Sequence, residues 1–317
     1  MNSLNKATMG KMSWAKKNDH TSRRDFLKKT GFSGMALLLP RRFLNHSSAL
    51  SRASFLEQIG VCTSQANRDI LEASGCAYIE EGVRNFLAPD GPEETYEANL
   101  KQANGANIPV RACNGFLPGA LKAVGADTKH PEILAYAETA FRRAGQAGIE
   151  TIVWGSGESR KIPDGFSRAA AEEQFIDLAR KVSVLAGRYG VTIALEPLNS
   201  GETNFINSLK EGAAVVEAVD HPSFRLLADI YHLLRGGETS DAILAYGKFL
   251  RHCHIAEKEK RTPPGVLGDD FRPFLKALRA IDYRGRMSIE CRFENLKEQL
   301  PAAVGYLKKQ IAEVSAL

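Results

Sequence analysis

EEQFIDLARKVSVLAGRYGVTIALEP, residues 172–197, decides the fold. Residues 172–190 read as an amphipathic helix. Gly190 stands where a C-terminal stop belongs. VTIALEP (191–197) then reads as a short, apolar, β-branched strand that ends in a carboxylate. The same unit recurs about every 30 residues from residue 57 onward, a spacing suited to strand–helix repeats. The other strand runs are IGVCTS (59–64), CAYIEE (76–81), IPVRAC (108–113), TIVWGS (151–156), FRLLADI (224–230), HCHIAE (252–257) and MSIEC (287–291). PEILAYAETAFRRAGQAG is another of the intervening helices, with Gly148 as its stop. LKEQLPAAVGYLKKQIAEV closes the chain, with Pro301 kinking it or delaying its start.

Eight strands alternating with eight helices predict parallel strands joined by crossovers. Eight units in roughly 260 residues match a (β/α)8 TIM barrel in length and count. A doubly wound parallel sheet is the other arrangement that alternation permits. No linker divides residues 54–317, which are expected to form a single domain.

Residues 1–53 read differently. The chain of 317 residues carries a net charge of +5, yet residues 1–50 hold ten Lys/Arg against two Asp/Glu. The remaining 32 Lys/Arg face 35 Asp/Glu, so residues 51–317 carry −3. That body has no positive excess for phosphate backbones, which argues against nucleic-acid binding. SRRDFLKK (22–29) has the form of a twin-arginine signal, with Phe26, Leu27 and Lys28 in the expected places. The apolar run after it, GFSGMALLLP, is too short for an ordinary membrane-spanning helix. The expectation is a leader over 1–53, cleaved after Ala49 or Ala53. The twin-arginine translocase would export the folded protein to the periplasm or beyond, with no stable membrane span after processing. Five cysteines (Cys62, Cys76, Cys113, Cys253, Cys291), without a CxxC pair, read as small buried hydrophobes.

In a TIM barrel, chemistry gathers at the C-terminal ends of the strands. Side chains alternate along a strand, so 194 and 196 share a face, as do 227 and 229, 252 and 254, and 288 and 290. Four consecutive strands therefore each aim one ligand-type residue at one rim: Glu196, Asp229, His254 and Glu290. Three carboxylates and one imidazole suit one divalent ion, Mn²⁺, Mg²⁺ or Co²⁺ rather than structural Zn²⁺. Singly, each of the four is equally well a strand-end cap or an ion-pair partner. His252 lies one layer deeper and reads as a hydrogen-bonded core histidine. Glu80 and Glu81 end the second strand, from where one of them can reach the rim. GSGESRKIP (155–163), with Glu158, Arg160 and Lys161, reads either as a substrate-contacting loop or as a solvated one.

At these residues the chain resembles the sugar phosphate isomerase/epimerase superfamily, the xylose-isomerase-like barrels. Its motifs are closest to ketose 3-epimerases. LEPLNSGE (195–202) is similar to the family's Leu-Glu-x-x-Asn-x-x-Glu element. DIYH (229–232) is similar to its Asp-x-x-His, RHCHIAE (251–257) to its His-x-His-x-x-Glu, and MSIE (287–290) to its last metal glutamate. The resemblance implies that Glu196, Asp229, His254 and Glu290 hold one divalent metal. It implies that Glu202 and His232 bind the sugar, and it makes Glu257, Lys260 and Arg261 of the seventh loop further candidate sugar contacts. The family's epimerases carry an arginine six residues after the metal histidine. Here that position is Lys260, and Arg261 follows it.

The implied chemistry is proton transfer next to a carbonyl through an enediolate, with Glu196 and Glu290 removing and returning the proton. Return on the opposite face is epimerisation, and return to the neighbouring carbon is isomerisation. Loss of a β leaving group would instead make a lyase or dehydratase acting on a 3-keto-glycoside. A non-catalytic exported sugar-binding barrel is a further alternative, although no ligand-type residue is missing. An apurinic-site endonuclease of the same fold would need three zinc ions, and GVRNFLAPDG and NGFLPGA offer none of the extra histidines. Export favours an unphosphorylated sugar or derivative as substrate.

Overall fold

Every strand run identified above becomes a strand of one closed barrel. A computed structural model describes residues 58–316. The twin-arginine pattern and both suggested cleavage sites lie outside the described residues. The strands are β1 (Ile59–Cys62), β2 (Tyr78–Gly82), β3 (Val110–Asn114), β4 (Thr151–Trp154), β5 (Thr192–Leu195), β6 (Phe224–Asp229), β7 (Leu250–Ile255) and β8 (Arg286–Ile289). Each pairs in parallel with its neighbours, and β8 closes on β1.

The helices are α1 (Arg68–Ala73), α2 (Glu93–Asn104), α3 (His130–Gln146), α4 (Gly157–Arg160), α5 (Arg168–Arg188), α6 (Leu209–Val219), α7 (Ile230–Gly236), α8 (Asp241–Tyr246), α9 (Arg272–Ala280) and α10 (Leu296–Ser315). There are ten among the described residues rather than eight, because α4 and α7 are short extra turns on the loops that leave β4 and β6. Pro301 lies inside α10, whose start is set upstream by the Asn295 side chain accepting from the Glu298 N–H. Gly148 and Gly190 follow α3 and α5 with φ of +68° and +72°, the left-handed conformation that ends a helix without a Cβ clash.

The outer face of the sheet packs on the helices. Trp154 is fully buried there, its ring 4.9 Å from Phe175 and 5.4 Å from Phe116. Such aromatic pairs contribute about 0.5–1.5 kcal/mol each beyond burial. They anchor the end of β4, from which Gly155 and α4 run along the rim. Inside the barrel the two halves differ. Val153, Ala194 and Leu227 form a small apolar cluster under β4–β6. Tyr78, Glu80, His252, His254 and Ser288, buried and hydrogen-bonded to one another, occupy β2, β7 and β8. The five cysteines are free thiols. Among the described residues no helix is long and apolar enough to cross a membrane.

Candidate metal and active site

The alternation read from sequence places four donor atoms together. Glu196 stands one residue past β5, Asp229 ends β6, His254 lies near the end of β7, and Glu290 is one past β8. Asp229 and His254 are register partners across β6 and β7. One ligand atom from each of the four lies within 4.8 Å of all the others. His254 Nδ1 is the hub, 2.8 Å from Glu290 Oε2 and 3.2 Å from Glu196 Oε1.

Three carboxylates packed so closely, and largely out of water, repel one another. Burial, with Glu290 next, raises the Glu196 carboxyl above its ordinary range. Burial pushes Asp229 up to about 8 against the pull of Arg261. Burial acts on Glu290 in the same sense, but His254 and Arg261 outweigh it and hold that carboxyl at about 2. A buried, hard, oxygen-rich set of this kind fits one divalent cation.

Asp229 and His232 divide their roles through a helix start. Asp229 Oδ1 accepts from the Tyr231 N–H at 2.9 Å and caps α7. His232 therefore sits one helical turn on, and its Nε2 is 3.4 Å from Asp229 Oδ2. The chain does leave the strand here, into a helix instead of a loop. His232 Nδ1 accepts from the Asn199 N–H at 3.1 Å, so the ring is neutral with its proton on Nε2. Burial, then Arg261, pulls its pKa down to about 3. Nε2 has no hydrogen-bond partner and is buried, a donor held ready beside the carboxylates. Asn199 Nδ2 also donates to Glu202 Oε1 at 3.1 Å, which brings Glu202 to the rim.

The seventh loop settles the question of the arginine. Glu257 is buried, and its carboxylate accepts from Thr262 Oγ1 and from the N–H groups of Gly265, Leu267, Gly268 and Asp269. It is the loop's internal anchor and not the sugar contact the motif implied. Lys260 and Arg261 then take φ of +57° and +54°. Lys260 is exposed, and Arg261 turns inward. Arg261 Nη2 donates to Asp229 Oδ2 at 3.2 Å and to Glu290 Oε2 at 2.5 Å, while Nε donates to the Glu290 carbonyl at 3.1 Å. Its guanidinium lies over the Tyr231 ring. Arg261, and not Lys260, thus reaches the carboxylate cluster.

The fourth loop differs from the expectation as well. Glu158 and Lys161 are exposed and face each other at 3.9 Å, the solvated reading of that loop. Arg160 is fully buried, and its Nη2 donates to the Glu196 carbonyl at 2.8 Å. Nε and Nη1 have no partner, and burial lowers its pKa to about 10. It braces the backbone of Glu196 from behind the site, where a sugar cannot reach it.

Two contributors, Asn114 and Gly155, escaped the sequence reading, and a third was left open between two residues. Asn114, at the end of β3, donates Nδ2 to Glu290 Oε1 at 3.1 Å, which leaves Oε2 for His254 and Arg261. The strand-end rule would have found it had the β3 run been carried one residue past Cys113. Gly155 leaves room for Glu196, because a Cβ there would lie 2.3 Å from Glu196 Oε2. Glu80, and not Glu81, reaches the site from β2: its Oε1 is 2.9 Å from His254 Nε2. Glu81 instead accepts from the Gln65 N–H at 2.5 Å, away from the rim.

Comparison with known proteins follows this geometry. An L-ribulose 3-epimerase of Methylomonas sp. (strain DH-1) is 34% identical over 134 residues, 41% of this chain and 45% of that protein. A 3-dehydro-D-guloside 4-epimerase of Escherichia coli (strain K12) is 30% identical over 117 residues, 37% of this chain and 44% of that protein. The chain spans about half the length of the curated relatives it matches. The apo crystal structure of a 3-keto-D-glucoside 4-epimerase from E. coli superimposes with a TM-score of 0.67 at 20% identity, covering 80% of this chain and 99% of that one. At that identity the likeness establishes the barrel alone. Residues 68–310 match the family described as Xylose isomerase-like TIM barrel, a span that contains β2 to β8 and every site residue from Glu80 to Glu290. The chain belongs to the xylose isomerase-like TIM barrel family.

Proposed function

We propose that this protein is a divalent-metal-dependent sugar isomerase or epimerase acting by proton transfer next to a carbonyl through an enediolate. One observation carries the reading: Glu196 and Glu290, from strands on different sides of the rim, meet at the same nitrogen of His254. The sugar epimerases among its sequence relatives support the reaction class.

A divalent ion held by Glu196, Asp229, His254 and Glu290 supplies Lewis-acid stabilisation of the oxyanion that develops as a carbon acid loses its proton. The residues of the chain do the rest. Glu196 and Glu290, which approach from different strands, form the proton-transfer pair: one takes the carbon proton and the other returns one. The roles exchange in the reverse reaction. His232 Nε2–H and Arg261 donate to substrate oxygens, and Glu202 accepts from a hydroxyl at the rim. Burial of His254, Asp229 and His232 keeps water from competing for those donors.

The net −3 of residues 51–317 favours an unphosphorylated sugar or derivative. The twin-arginine pattern at Ser22–Lys29 supports an encounter outside the cytoplasm. Replacing Arg23 and Arg24 by lysine is expected to retain the protein inside the cell, and unchanged export would remove this part of the proposal. Incubation of the Mn²⁺-loaded protein with ketoses and 3-keto-glycosides in deuterated water tests the chemistry. Deuterium at one carbon adjacent to the carbonyl, in an epimerised or isomerised product, is expected. Loss of a β substituent would assign elimination instead. A site that binds these sugars and exchanges no proton would be a binding barrel.

A further inference from the structure

Glu80 makes contacts that neither the metal set nor the proton-transfer pair accounts for. It lies in the middle of β2, three strands around the closed barrel from His254 on β7, and is fully buried. Its Oε1 is 2.9 Å from His254 Nε2. Its Oε2 is 2.7 Å from His252 Nε2 and 2.6 Å from Ser288 Oγ. Ser288 Oγ in turn lies 2.8 Å from the Tyr78 hydroxyl, which donates to it. Ser288 Oγ donates to it, and an ionised carboxylate carries no proton to give, so Glu80 acts only as an acceptor.

That arrangement has a consequence at the other edge of the ring. A neutral imidazole offers a lone pair at one nitrogen only when the proton is on the other. An acceptor-only carboxylate at Nε2 requires the proton there. When an ion is bound, Nδ1 is then the nitrogen with the free pair, and it lies on the side of Glu290 and Glu196, whose oxygens are 2.8 and 3.2 Å away.

We infer that Glu80 is a positioning residue: it fixes the ring orientation and tautomer of His254 so that Nδ1 is presented to the divalent ion. The inference rests on the metal reading proposed above. Carboxylate partners of metal-bound histidines have this effect in general, and their loss costs about 10–100-fold in metal affinity. His252 and Ser288 hold the second oxygen, so the carboxylate cannot rotate away. If Glu80 served stability alone, by balancing buried histidine charge, its removal would lower the melting temperature and leave metal affinity intact.

The test is Glu80→Gln, read by calorimetric titration of Mn²⁺ and by thermal unfolding of the metal-free protein. A carboxamide has one accepting oxygen and a donating NH₂, so it cannot satisfy two imidazole N–H groups and a hydroxyl. A fall of about 10–100-fold in Mn²⁺ affinity in a folded variant is expected. Affinity equal to the parent's, whatever the melting temperature, overturns the inference. Should the variant not fold, the parent decides. With ¹⁵N-histidine and Mg²⁺ bound, His254 must show a directly attached proton on Nε2 and none on Nδ1. A proton on Nδ1 overturns the inference. A parent protein that binds no divalent ion would overturn the metal reading itself and this inference with it, an outcome distinct from a Glu80→Gln variant that binds as tightly as the parent.

Discussion

Gly155→Ala is a one-methyl probe of the candidate site. The added Cβ would lie 2.3 Å from Glu196 Oε2 and 3.4 Å from its Cδ, where real Cβ contacts stay beyond 3.0 Å. The methyl is held by the backbone, so the carboxylate must retreat. Glu196 Oε1 is 3.2 Å from His254 Nδ1, and a displaced carboxylate loses that place in the four-atom set. A misplacement of about 1 Å costs about 100-fold in turnover, or about 2.7 kcal/mol of transition-state stabilisation. Stability should move far less. Gly155 is not among the positive-φ glycines, so alanine fits the backbone. The gain of about 0.4–1 kcal/mol from a stiffer unfolded chain offsets part of an overpacking cost of about 1–3 kcal/mol. The assay pairs Mn²⁺ calorimetry and deuterium exchange into substrate with urea unfolding. Parent-like metal affinity and exchange in the variant would refute the placement of Glu196. A collapse of stability with no specific loss of binding would refute the reasoning from contact distance.

Two further outcomes follow from other parts of the molecule. Metal affinity should rise with pH between 6 and 8, because burial pushes Asp229 up to about 8. His254 reinforces the trend: although burial disfavours its charge, Glu80 and Glu290 hold its pKa well above the ordinary value. An ion displaces these protons, so raising pH favours binding, and affinity that is flat between pH 6 and 8 would contradict the ligand set. Arg143→Ala should cost about 1–3 kcal/mol in urea unfolding, because Arg143 is buried and donates to the carbonyls of Leu87, Ala88 and Gly91, which would lose their partner. A loss below about 1 kcal/mol would mean that the loop after β2 re-forms these bonds with water.

The sequence by itself determined the barrel and the residues at its rim. Both follow from local patterns: the roughly 30-residue strand–helix unit of 172–197, and the two-residue alternation that aligns 194 with 196 and 227 with 229. Glu196, Asp229, His254 and Glu290 were therefore legible one strand at a time. Only the tertiary structure decided what supports them. Barrel closure brings Glu80 to His254 across 174 positions of sequence and Asn114 to Glu290 across 176, pairings that no local pattern encodes. The neighbouring strand made Gly155 necessary, through the reach of a glutamate 41 residues on. In the seventh loop the left-handed turn at Lys260 and Arg261, anchored by buried Glu257, put Arg261 rather than Lys260 into the site. Arg160 read as a rim residue because polar loops favour solvent, yet the packing of α4 against the loop after β5 buried it on the Glu196 carbonyl. Alternation along a strand specifies which face a side chain takes. What meets it on that face depends on the chain returning from far away.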